Sequence, residues 1–155
     1  RNKDFDTVKN KMNLSVFSCF RDRQINKSMH LNKGRYRVLK ARNIGDKKIV
    51  NIENYDVYIN DIEKLSVKKY LNKKNIIMVP NLTYYPRGAV LPKNTIVDGS
   101  VGLLELKNNS KKISNKSLSF FATKEFEDYY RVARNYATRS LNLDNNSVYF
   151  FGLLK

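Results

Sequence analysis

Asn75-Ile76-Ile77-Met78-Val79-Pro80 is the stretch from which the architecture can be worked out. Its apolar run is short and β-branched, which predicts a buried strand that Pro80 ends. Downstream, Tyr84-Tyr85-Pro86-Arg87-Gly88 reads as a loop or tight turn, and residues 95–97 and 101–106 as further strands around Asp98-Gly99. Upstream, Ile62, Leu65, Tyr70 and Leu71 recur at helix-like spacing behind Asp61, which predicts a short helix over about 61–71. The β-formers of Tyr36-Arg37-Val38-Leu39-Lys40 predict a strand over 35–40. Turn chemistry at Asn43-Ile44-Gly45-Asp46 then joins it to Lys48-Ile49-Val50-Asn51-Ile52 as a hairpin.

Towards the end of the chain, Thr123 is an acceptable N-cap, Glu125 and Glu127 occupy a first turn, and Phe126, Tyr129, Tyr130, Ala133 and Ala137 form an apolar stripe. These features predict a helix over 123–137. A polar connector runs from Asn108 through Lys116, and a last strand is expected at 147–151. Residues 1–20, anchored by Leu14, Val16, Phe17 and Phe20, read as a lead-in segment with room for one strand; residues 21–155 read as a single domain. The fold class expected is therefore α+β: a twisted mixed or antiparallel β-sheet globule with short peripheral helices at about 61–71 and 123–137.

The chain has 155 residues, with 30 Lys and Arg against 14 Asp and Glu, a net charge of +16. The abundance of Lys, Asn, Ile and Tyr points to an AT-rich genome as much as to selection, but such a bias does not explain the scarcity of acidic residues. A polyanion is the natural partner of the remaining excess. No apolar stretch approaches the roughly 20 residues a bilayer demands, so no membrane partner is expected. One cysteine, Cys19, and one histidine, His30, exclude a disulfide framework and a Cys-based zinc site, and the lone thiol fits a reducing cytoplasm. A chain that opens at Arg1 and stops at Lys155 reads as a piece of a longer protein.

Three sets of residues bear on chemistry. Asp98, Glu105 and Lys107 have the D-x6-E-x-K spacing with which metal-dependent nucleases place two carboxylates on Mg²⁺ and a lysine beside the attacking water, although Asp98-Gly99 reads equally well as a turn. Phosphate-cradling glycine loops and the N-P-P-Y tetrad of adenine methyltransferases do not occur, so the chain alone is not expected to be an enzyme and no cofactor is expected in it. Basic residues interleaved with aromatics and amides form the third set. Arg35, Arg37, Lys40, Arg42 and Asn43 lie on a strand and turn; Tyr84, Tyr85 and Arg87 on a turn; Asn135, Thr138 and Arg139 at a helix end. Arg can grip guanine and Asn adenine with two bonds each, while Lys and Tyr hold phosphates. The same residues could instead cover sheet edges and the rim of the core.

Three stretches in order carry a resemblance: Arg21-Asp22-Arg23-Gln24-Ile25 followed by Arg37-Val38-Leu39-Lys40-Ala41-Arg42-Asn43-Ile44-Gly45; Asn75 to Pro80 followed by Tyr85-Pro86-Arg87-Gly88; and Phe126-Glu127-Asp128-Tyr129-Tyr130-Arg131 with Asn135-Tyr136-Ala137-Thr138-Arg139-Ser140-Leu141. Over about residues 20–153 the chain resembles the target recognition (DNA specificity) domain of bacterial restriction-modification proteins, as in TaqI-like adenine-N6 DNA methyltransferases and type I specificity subunits. The resemblance implies the fold of a DNA methylase specificity domain and sequence-specific binding of duplex DNA. It further implies a methyltransferase catalytic domain in cis or as a partner subunit, with S-adenosylmethionine, and Mg²⁺ where the parent enzyme also cleaves, used outside this chain. In such proteins the base-contacting positions change with the sequence read, so the resemblance transfers no specific base contact. The rival classes are a metal-dependent nuclease and a general RNA-binding or scaffolding domain.

Overall fold

The computed structural model describes residues 3–83, 85–134, 141–142 and 147–155, with the backbone alone at Leu82, Leu141 and Asn142. Its centre is a four-stranded antiparallel sheet in the order β2 (Phe17–Arg21), β9 (Val101–Leu106), β5 (Ile76–Pro80), β7 (Ala89–Val90). The register of β5 on β9 pairs Ile77 with Leu104 and Met78 with Leu103. Successive side chains of a strand point to opposite faces, and here both faces are buried. Ile77, Val79 and Leu104 join one hydrophobic cluster; Ile76, Met78 and Leu103 join another. That explains why the stretch at 75–80 is continuously apolar rather than alternating.

Helices cover the first face. They are α1 (Lys3–Asn10), α2 (Asn115–Phe121) and α3 (Lys124–Ala133). The expected cap is present on α3, where the Thr123 hydroxyl accepts from the Phe126 N–H at 3.1 Å. Phe126, Tyr129 and Tyr130 are buried with Phe121 and Phe151, and Phe5 of α1 stacks on Tyr129 with ring centroids 4.9 Å apart. A second sheet covers the other face, in the order β4 (Val57–Ile59), β3 (Tyr36–Leu39), β8 (Thr95–Val97), with β3 and β8 parallel. Two further two-stranded pairs complete the described strands: β1 (Met12–Asn13) with β11 (Leu153–Leu154), and β6 (Leu82–Thr83) with β10 (Leu141–Asn142). The molecule is thus a mixed α+β domain layered as helices, sheet and sheet.

Several local expectations are corrected. Residues 1–20 are more than a lead-in with one strand, since they supply α1, β1 and most of β2 and bury Phe5, Val8, Met12 and Phe17. The helix expected over 61–71 is only a 3₁₀ turn at Ser66–Tyr70. Here the backbone bonds run three residues back, Leu65 to Ile62 and Lys68 to Leu65, and the Ser66 N–H donates to Gln24 Oε1 instead. No strand forms at 48–52, where Ile49 makes a single bridge to Ile44; β3 pairs with β4 and β8 in its place. Residues 147–150 form a 3₁₀ turn rather than a strand. It drops Phe151 into the core before Gly152, where any Cβ would lie 2.5 Å from the Asn13 carbonyl oxygen. The polar connector ends at Ser114, whose hydroxyl caps α2 by accepting from Ser117 N–H. Residues 135–137 of the expected last helix lie outside the described residues.

Candidate nucleic-acid interface

The parallel strands β3 and β8 end side by side, with Asp98 N–H donating to the Leu39 carbonyl at 3.2 Å. From there the chain leaves the sheet at Lys40 through a 3₁₀ turn, Ala41–Asn43, and loops back by residue 50. Two side chains from the sequence-derived set hold this loop. Asn43 is fully buried; its Oδ1 accepts from Lys40 N–H at 3.0 Å, and its Nδ2 donates to the Val50 carbonyl at 2.9 Å and Asp56 Oδ1 at 2.7 Å. Asp56 Oδ2 accepts in turn from Ile52 N–H and from the Arg37 guanidinium, both at 3.0 Å. Asn43, expected as a reader of bases, is the hub of its own loop, its amide satisfied inside the protein, and Arg37 is tied into the same network.

Arg87 is likewise engaged within the protein. Its Nε donates to the Ile44 carbonyl at 2.6 Å, and its terminal nitrogens donate to Thr83 Oγ1, the Tyr85 carbonyl and the Ala41 carbonyl. Burial lowers the guanidinium below the ordinary Arg pKa, and a group so enclosed is not free to enter a groove. What it does is fasten the 41–44 loop to the 83–88 turn. A further backbone bond, Lys47 N–H to the Gly88 carbonyl at 2.9 Å, joins the same two segments.

Lys40, Arg42 and Tyr85 remain on the outside of this mount. Arg42 is exposed, and its guanidinium lies 4.8 Å from the centroid of Tyr55; Lys40 Nζ lies 3.8 Å from the same ring. Such cation–π contacts hold the cations in place without neutralising them. Half-burial raises the Tyr55 pKa, so its hydroxyl stays protonated, and it accepts weakly from Arg42 N–H at 3.4 Å. Lys47 and Lys48 are exposed on the same loop, and Tyr85 is 70% exposed on the adjoining turn. Sequence reading missed Tyr55, Lys47 and Lys48; the Tyr between Asn54 and Asp56 was the available signal for the ring, since Asn54 takes the left-handed backbone of a turn.

Arg35 stands apart. It precedes β3, roughly 16 Å from Lys40 by the rise of a strand, beside Asn60, whose Oδ1 accepts from the Arg35 N–H at 2.8 Å. Tyr84, Asn135, Thr138 and Arg139 lie outside the described residues. The nuclease constellation is not assembled. Asp98 folds back on Ser100, accepting from its N–H and hydroxyl, while Glu105 lies towards the other end of β9 and pairs with Lys73. The four residue-to-residue steps of strand from 101 to 105 alone span roughly 13 Å, too far for two carboxylates on one ion. Lys107 reaches Ser15 Oγ instead. Among the described residues, no three His, Cys, Asp or Glu side chains gather as metal ligands, and no helix is long and apolar enough to cross a membrane.

Three of the five lysines of the 64–74 stretch have local partners. Lys68 pairs with Glu63, Lys69 lies over Phe20 and Tyr70, and Lys73 lies over Tyr70 while pairing with Glu105. No known protein family and no curated protein matches the sequence.

Proposed function

We propose that this chain binds duplex DNA sequence-specifically, as the target recognition domain of a restriction-modification methyltransferase or of a fused restriction enzyme. The observation that carries the reading is the 40–48 loop. It leaves the end of a sheet, is fixed from within by Asn43 and Arg87, and exposes Arg42, Lys47 and Lys48, with Lys40 half-buried over Tyr55, on a chain of net charge +16. A rigid basic protrusion is what a groove accepts, with Arg42 able to reach a base edge and the lysines able to hold phosphates. The order of sequence motifs supports the same family. Methyl transfer would be the work of a catalytic domain in cis or of a partner subunit, using S-adenosylmethionine there.

Single-stranded RNA is favoured less, because a sheet that stacks bases needs an open aromatic face. Here the central sheet is buried on both faces. The deciding experiment is selection from a random-sequence duplex library, with RNA as competitor. Recovery of a defined short motif is the expected result. A bound pool without any motif would reduce the reading to non-specific binding, and preferential retention of RNA would overturn it.

A further inference from the structure

A second gathering of positive charge lies at the opposite end of the central sheet from the 40–48 loop. That loop is fastened where β9 begins, Ala41 N–H donating to Ser100 Oγ at 2.9 Å just before Val101. Where β9 ends, Lys107 N–H donates to the Val16 carbonyl at 2.9 Å and Leu106 N–H to the Asn75 carbonyl at 3.4 Å, which sets Lys107 and Lys74 at neighbouring strand ends. Asn94 N–H donates to Asn72 Oδ1 at 2.8 Å and so brings Lys93 to the same end. A turn closed by Lys111 N–H on the Asn108 carbonyl at 3.2 Å adds Lys111 and Lys112.

All five of these lysines are exposed, and among the described residues none forms an ion pair. Glu105, the carboxylate at this end of β9, is already paired with Lys73, and residues 107–116 hold four lysines and no Asp or Glu. Like charges gathered at one end of a sheet repel one another, and a polyanion relieves that repulsion. The residue type narrows the contact, because Lys is a point charge that holds a phosphate and lacks the planar fork with which Arg reads a base. The exposed large hydrophobic side chains, Leu31, Tyr85, Val90 and Tyr149, all lie outside the segments 72–75, 93–94 and 107–112, which favours a nucleic-acid backbone over a lipid surface.

We infer that this end of the sheet holds the phosphate backbone of a second stretch of duplex without reading its sequence, so that one chain joins two duplexes. The inference rests on the DNA-binding reading above and adds a second site to it. Along β9 alone the two ends are roughly 17 Å apart. A duplex whose groove admits the 40–48 loop lies beyond the first end. To touch the second it would have to bend round the domain, which its stiffness opposes.

The test mixes the full chain at low salt with an excess of a duplex of about 12 base pairs, little more than one helical turn, and measures the mass of the complex by sedimentation equilibrium. One chain carrying two duplexes is the expected result. The second binding step should follow salt with a log-log slope of roughly −3 to −5, about −0.9 for each phosphate held. The triple variant Lys74→Gln/Lys93→Gln/Lys111→Gln should carry one duplex and discriminate between sequences as wild type does, since the reading loop is untouched. One duplex per wild-type chain, or a second duplex that the triple variant still holds, overturns the second site while leaving DNA binding intact. Retention of wild type but not of the triple variant on phosphatidylserine vesicles, with only one duplex bound, assigns the lysines to a lipid surface and overturns it as well. Absence of binding to any duplex overturns the DNA reading itself.

Discussion

Replacing the buried Asn43 with Ala removes an amide that satisfies three partly buried partners: Lys40 N–H, the Val50 carbonyl and Asp56 Oδ1. Leaving such groups unmet should destabilise the fold by about 2–3 kcal/mol, read as a fall in the denaturant midpoint. Arg42→Ala, at an exposed neighbour, should leave that midpoint within about 0.5 kcal/mol of wild type and act on DNA discrimination instead. Equal stability losses in both variants would contradict this division of labour. Residue type could not reveal it, because an Asn able to grip adenine is equally able to satisfy backbone groups. His30 allows a second test at this scale. Burial, then the positive charge of Lys40, lowers its pKa from the ordinary 6.5, with Lys27 adding to the effect and Asp98 opposing it. Below pH 6.5 the unfolded chain therefore binds the proton more readily than the folded one. The stabilising contribution is complete above that pH and is lost as pH falls through the lowered value. Between about pH 7.5 and about pH 5.5 the Tm of wild type should fall further than that of His30→Gln; parallel profiles would refute it.

Among the elements, β5 shows how a pattern can be legible while its reason is not. The apolar run at 76–79 announced a buried strand, but only the second sheet shows that Ile76 and Ile77 serve different cores. Ile76→Ala and Ile77→Ala should accordingly each cost about 2–5 kcal/mol, whereas Val90→Ala, at a side chain 52% exposed, should cost under about 1 kcal/mol. A small effect at either isoleucine would mean that one face of β5 is not core. The helix α3 was equally legible, since its Thr123 cap, acidic first turn and aromatic stripe are all local signals. The helix α1 was not, because only Phe5 and Val8 are buried in its eight residues and two anchors do not establish a period. The 61–71 segment failed for the opposite reason. Its apolar spacing was adequate, but the Gln24 side chain takes the Ser66 N–H that a continuing helix would have used.

For the molecule as a whole, what matters is where the net charge of +16 is free to act. Five of the fourteen carboxylates lie on helices, Asp4 and Asp6 on α1 and Glu125, Glu127 and Asp128 on α3, whereas the 40–48 loop carries four basic residues against one carboxylate, Asp46. Sequence could supply the total but not this distribution, since Lys68 and Lys69 look as available on paper as Lys47 and Lys48. In the fold all four are exposed, but Lys68 is paired with Glu63 and Lys69 lies over Phe20 and Tyr70 on the 66–70 turn, while Lys47 and Lys48 stand beside Arg42 on the loop. Each phosphate neutralised contributes about −0.9 to the slope of log affinity against log salt. The double variant Lys47→Ala/Lys48→Ala should therefore make the slope shallower by roughly 2 and weaken all duplexes alike. Lys68→Ala/Lys69→Ala should leave both slope and sequence discrimination unchanged. Arg42→Ala should cost about 1–3 kcal/mol against the preferred sequence alone, by losing a two-bond grip on guanine. Titrations of the four proteins against preferred and scrambled duplexes across a salt series separate these effects. If the Lys68/Lys69 pair changes the slope and the Lys47/Lys48 pair does not, DNA lies against the 66–70 turn, and the loop that Asn43 and Arg87 hold in place is not the reading surface.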